Sequence, residues 1–182
     1  MVRKLFARLM GRWISPRTQI DRPNSTSLSW VIPGKLAVGG LPNSGTIAQL
    51  TQARIATVLA LCSESEGQML PEIQASFQTW RYVLPDRHYR EKLTPAQLAA
   101  AVEIIHQSLQ NQQPIYVHCF AGIERSPTVC VAYLCRYGQQ NLWDALEWVK
   151  SVHPSTCPTT DQLRVLEEFT GALPRTRKGD SL

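Results

Sequence analysis

No apolar run in this 182-residue chain approaches the ~20 residues needed to cross a bilayer, so a membrane-spanning helix is not expected. An uninterrupted apolar h-region followed by a small-residue cleavage site is also missing, which argues against a secretory signal. Cysteine is scarce: the five residues at 62, 119, 130, 135 and 157 are odd in number and lack metal-ligand spacing. A disulfide framework is therefore not expected, and neither is a metal or other cofactor. A reducing, cytoplasmic compartment follows. Internal repeats and low-complexity tracts are absent as well. Charged residues make up 18% of the chain and hydrophobic ones 43%, a balance that suits one globular domain with a full core.

The net charge of +5 is unevenly placed. Residues 1–20 hold five basic residues and no acid, and residues 174–182 contribute a further +2, which leaves −2 for the body. The basic balance thus belongs to the tails and does not point to nucleic acid as a partner. Within 1–14, Leu5, Phe6, Leu9, Met10, Trp13 and Ile14 recur at helical spacing, apart from Arg3, Lys4, Arg8 and Arg12. This is the pattern of a basic amphipathic helix in peripheral contact with a membrane surface. A helix docked on the body fits the same pattern. Residues 1–29 read as this segment plus a polar linker, 30–173 as the catalytic domain, and 174–182 as a basic, flexible tail.

Strands are expected at Leu36–Val38, Ile55–Cys62, Trp80–Leu84 and Ile115–His118. Helices are expected around Ile47–Ala53 and Pro71–Phe77, and over 95–110 behind the Thr94/Gln97 capping box. Further helices follow over 128–134 (stopped by Gly138), after Asn141, and behind the Thr159/Gln162 capping box. The fold class is α/β: a central, mostly parallel sheet of four to five strands flanked by about six helices.

The chemistry concentrates in His118-Cys119-Phe120-Ala121-Gly122-Ile123-Glu124-Arg125-Ser126-Pro127. A thiol at a strand end, five residues, an arginine and a helix start together form a phosphate cradle around a nucleophile. The amides of Phe120, Ala121, Gly122, Ile123, Glu124 and Arg125 would curl toward an anion at the positive helix end. Arg125 adds a bidentate fork. The same field favours the Cys119 thiolate, and Ser126 is placed to donate to its sulfur. A bare cysteine-five-arginine match also fits a buried structural cysteine. The flanking His118, Gly122 and Ser126 and the strand–loop–helix context argue against that reading.

This stretch resembles the signature of the cysteine-dependent protein tyrosine phosphatase superfamily. Ala121-Gly122 and Arg125-Ser126-Pro127 are most similar to its small dual-specificity branch. The resemblance covers about residues 30–170 and implies a phosphatase-like fold with a phosphocysteine intermediate. It implies Asp86 as the acid that protonates the leaving oxygen and then deprotonates water. A loop aspartate paired with Arg87 or Arg90 is the plainer reading of Asp86. Glu64, Glu66, Glu91 and His88 are weaker candidates for the acid. His118 is expected to hold the loop by hydrogen bonds. Related phosphatases make Cys62, at the end of the central strand, a redox partner for Cys119, although a buried apolar cysteine fits as well.

The implied partner is a phosphorylated protein bearing phosphoserine, phosphothreonine or phosphotyrosine. Head groups with several phosphates are disfavoured, because the loop offers no lysine and one acid, Glu124. Lipid, glucan and RNA 5′-phosphate substrates remain alternatives, as does a phosphate-recognising module with little turnover. Arsenate or sulfur transfer on a related loop is a third reading.

Overall fold

The computed structural model describes residues 28–88 and 90–173. The amphipathic segment over 1–14, nearly all of the linker, and the tail over 174–182 lie outside these residues.

Three parallel strands carry the centre of the sheet: β2 (Leu36–Gly39), β3 (Thr57–Ala60) and β5 (Ile115–His118). Every residue in them is buried, as expected where helices cover both faces of a parallel sheet. Alternation sorts the side chains. Leu36, Val38, Leu59, Leu61, Ile115 and Val117 enter one core, while Ala37, Val58, Ala60 and Tyr116 enter the other. β4 (Gln78–Arg81) extends the sheet in parallel beyond β3, and β1 (Ser29–Ile32) pairs antiparallel with β2. The order is β1-β2-β5-β3-β4.

α1 (Ser44–Gln52) and α2 (Pro71–Ser76) cover the smaller core through Leu50 and Ile73. The larger core receives α3 (Pro95–Gln110), α4 (Arg125–Arg136), α5 (Leu142–Val152) and α6 (Thr160–Gly171). α4 is buried from Arg125 to Cys135, so it is the helix around which the others pack. Among the described residues, five strands and six helices bear out the expected α/β class.

Both expected capping boxes form, Thr94 with Gln97 and Thr159 with Gln162, and Asn43 with Thr46 makes another. Other boundaries move. Ser29, assigned above to the linker, opens β1, which the reading missed because only four residues precede the turn at Pro33-Gly34. β3 stops at Ala60 instead of Cys62, because the carbonyls of Leu61 and Cys62 turn to accept from Arg125 and Arg81. β4 begins and ends earlier than Trp80–Leu84. Gly138 does follow the last turn of α4, but the left-handed residue is Gln139 (φ 55°). Gly138 is needed for a different reason: a Cβ there would lie 2.6 Å from the Leu134 carbonyl oxygen.

Candidate active site

Cys119 follows β5 at the carboxyl edge of the parallel strands, where open α/β sheets bind ligands. The loop after it is held by its carbonyls. Leu41 N–H donates to Phe120 O (3.0 Å), His153 Nε2–H to Gly122 O (2.7 Å) and Cys157 N–H to Ile123 O (2.8 Å). In a trans peptide the C=O and the following N–H point oppositely. Turning these three carbonyls outward therefore turns the amides of Ala121, Ile123 and Glu124 inward. Gly122 N–H donates to Cys119 Sγ at 3.2 Å, and Ser126 Oγ lies 3.4 Å from the same sulfur and 3.0 Å from Gly39 O. Gly122 has φ +73°, and a Cβ on it would come within 2.6 Å of the Gly39 and Gly40 backbone. Only glycine permits that approach.

His118 is fully buried and its Nδ1 donates to Cys119 O at 3.1 Å. Burial pushes it down to about 4, so the ring is neutral at physiological pH and serves the loop as a fixed donor. His153 is a second such anchor. Its Nδ1 accepts from Ser29 Oγ (2.9 Å) while Nε2 donates to Gly122 O. Burial lowers its pKa too.

Arg125 lies 2% exposed at the floor of the site. Its guanidinium meets Glu66 bidentately, Nη2–Oε1 at 2.6 Å and Nη1–Oε2 at 3.1 Å. Nη2 also pairs with Asp86 Oδ2 at 3.1 Å, and Nη1 reaches the carbonyls of Leu61 and Leu84. Asp86 therefore stands against Arg125, not against Arg87 or Arg90. Glu66, weighed above only as a weaker acid, orients the Arg125 fork. No local signal marks that role, because the partners are 59 residues apart.

Burial alone would raise the Glu66 pKa, yet hydrogen bonds from Arg125 and Ser63 hold it at about 2, against an ordinary 4.5. A depressed carboxyl stabilises the fold above its unfolded pKa and loses that contribution as pH falls through the folded one. Native stability is therefore expected to fall between about pH 4.5 and pH 2. Glu66→Gln should flatten that part of a urea-midpoint-versus-pH curve. An unchanged curve would show that the carboxylate is not held this way.

Cys119, Arg125, Asp86 and Glu66 line one cleft of about 460 Å³. At its mouth Phe120 is 54% and Ile123 37% exposed, so neither side chain closes it. Glu124 pairs with Arg87 on the wall of the cleft, with Nη1–Oε1 at 3.3 Å. Cys62 is buried beside this floor; burial raises its pKa, Arg125 lowers it, and a Cys119 thiolate raises it further. Among the described residues no group of three or more His, Cys, Asp or Glu could hold a metal, and no helix is long and apolar enough to cross a membrane.

Residues 38–171 match the family described as dual specificity phosphatase, catalytic domain. The chain belongs to that family. It is therefore a member of the cysteine-dependent phosphatase superfamily, as the signature implied. It is 27% identical over 135 residues to phosphatidylglycerophosphate phosphatase PTPMT2 of Arabidopsis thaliana, covering 74% of this chain and 59% of that one. It is 34% identical over 85 residues to the tyrosine-protein phosphatase vhp-1 of Caenorhabditis elegans, covering 47% of this chain and 13% of that one. The chain thus spans less than two thirds of the length of each of these two relatives. The fold is shared with the solved structure of DUSP15 (26% identity, TM-score 0.66), covering 81% of this chain and 89% of that one.

Proposed function

We propose that this dual-specificity phosphatase domain hydrolyses phosphomonoesters without a metal, through a phosphocysteine intermediate. The observation that carries the reading is the convergence of Cys119 Sγ, the Arg125 fork and the Asp86 carboxyl on one cleft. The phosphoryl group sits on the inward amides of the 120–125 loop, and Arg125 exchanges Asp86 for a phosphoryl oxygen. The Cys119 thiolate forms a P–S bond as the P–O bond to the leaving group breaks, and protonated Asp86 gives its proton to that oxygen. Asp86 carboxylate then takes a proton from water. The new P–O bond forms as the P–S bond breaks, and Ser126 donates to the departing sulfur.

For the substrate we propose phosphoserine, phosphothreonine or phosphotyrosine in proteins. The cleft walls carry three carboxylates, Glu66, Asp86 and Glu124, against two arginines, Arg87 and Arg125, which disfavours head groups with several phosphates. A second reading, a lipid carrying one terminal phosphomonoester, is favoured by the relatives named phosphatidylglycerophosphate phosphatase, which match about three quarters of this chain. The membrane contact read from residues 1–14 belongs with it. The test uses EDTA-treated protein, phosphopeptides and phosphatidylglycerophosphate vesicles. A higher kcat/KM on peptides supports the first reading, and the reverse order supports the second. Turnover of neither would leave a phosphate-binding module.

Cys62 is proposed as the thiol that captures an oxidised Cys119. Peptide mapping after mild peroxide should find the Cys62–Cys119 disulfide. Its absence under conditions that inactivate the enzyme would end that role.

A further inference from the structure

Asp86 lies on the segment after β4, whose start is anchored at Leu84: its N–H donates to Leu61 O (3.0 Å) and its carbonyl accepts from Arg125 (3.3 Å). Beyond that point, side chains hold the segment. Asp86 Oδ1 accepts from His88 N–H within the segment itself, which leaves, among the described residues, two ties to the signature loop. One is Asp86 Oδ2 to Arg125 Nη2, and the other is Arg87 Nη1 to Glu124 Oε1. The first is surrendered during turnover, because Arg125 must release Asp86 to hold the phosphoryl oxygens. The second survives. Glu124 is free for it: although it is the N-cap residue of α4, its side chain makes no capping bond, and it is only 17% exposed.

We propose that the Arg87–Glu124 ion pair is a positioning latch, clamping the acid-bearing segment to the signature loop so that Asp86 stays over the leaving oxygen when Arg125 turns to phosphate. The inference rests on the hydrolytic reading above. Arg87 and Glu124 act through Asp86 and touch no reacting atom.

Glu124→Gln, Arg87→Gln and the double variant would be compared with wild type on a phosphoserine peptide and on 4-nitrophenyl phosphate. The alkoxide leaving group needs the acid; the nitrophenolate scarcely does. A partly exposed pair of this kind sets the scale, and each single variant should fall about threefold further in kcat/KM on the peptide than on the aryl ester. The double variant should be no worse than either single one. Added salt should bring wild type toward the variants on the peptide.

Simple electrostatics of the cleft makes the opposite forecast, since removing an acid and removing a base would shift phosphate affinity in opposite directions. Losses of opposite sign, equal losses on both substrates, or additive losses would each overturn the latch. Alkylation of Cys119 by iodoacetamide, followed by peptide mapping, gives a readout without turnover: the single variants should react about threefold faster as the segment swings away. That acceleration in a protein that hydrolyses neither substrate would sink the catalytic reading and leave the latch standing. Cys119-dependent turnover with an unchanged peptide-to-aryl ratio and alkylation rate would sink the latch alone.

Discussion

Cys119→Ser is expected to lower hydrolysis of every phosphomonoester by about 10⁶-fold, the scale at which removing a covalent nucleophile usually acts. Gly122 N–H and Ser126 Oγ point at the sulfur, and α4 begins beside it. A serine hydroxyl would remain protonated in the same field, because its ionisation lies far outside the range that such donors can shift. The loop carbonyl anchors from Leu41, His153 and Cys157 do not involve the side chain at 119, so the cradle should persist. The variant should therefore still bind a phosphopeptide while releasing no inorganic phosphate. Residual turnover within about 100-fold of wild type would mean that bond cleavage does not pass through sulfur.

Asp86→Asn is expected to cost about 10²–10⁴-fold on a phosphoserine or phosphothreonine peptide and far less on 4-nitrophenyl phosphate. Asparagine keeps an oxygen to accept from His88 N–H, so the turn that presents the side chain should be retained. What disappears is the proton for the leaving oxygen, together with the charge that faces Arg125. An alkoxide leaving group exposes that loss, whereas an activated phenolate leaves without help. Release of phosphate from both substrates, measured side by side, decides the matter. An equal fall on both would reassign Asp86 to ordering Arg125. The latch variants should show the same substrate selectivity in weaker form, which ties the two experiments together.

Much of the architecture was legible in the chain because its causes are local. Thr94 with Gln97 and Thr159 with Gln162 cap helices through residues three positions apart, and no distant partner is needed. The apolar runs around Val58 and Val117 read as strands, and they are, each buried throughout. Strand ends were less legible. β4 was displaced because Tyr82 to Leu84 look like strand residues, yet Leu84 serves as an anchor for Arg125. β1 was hidden because an edge strand of four residues, half exposed and followed by a turn, has no period to detect.

By itself the sequence determined the family signature from Cys119 to Arg125, the strand–loop–helix that carries it and the α/β class. These depend on consecutive residues, whose backbone directions follow from strand and helix geometry. Only the tertiary structure decided what holds that site in working shape. Glu66 orients Arg125 across 59 residues and His153 fixes Gly122 O across 31. The Gly39 and Gly40 backbone leaves room for Gly122 and no Cβ, and Arg87 meets Glu124 from another strand's end. Such contacts leave no spacing in the chain, because they arise where strands far apart in sequence are brought edge to edge by burial of both faces of the sheet.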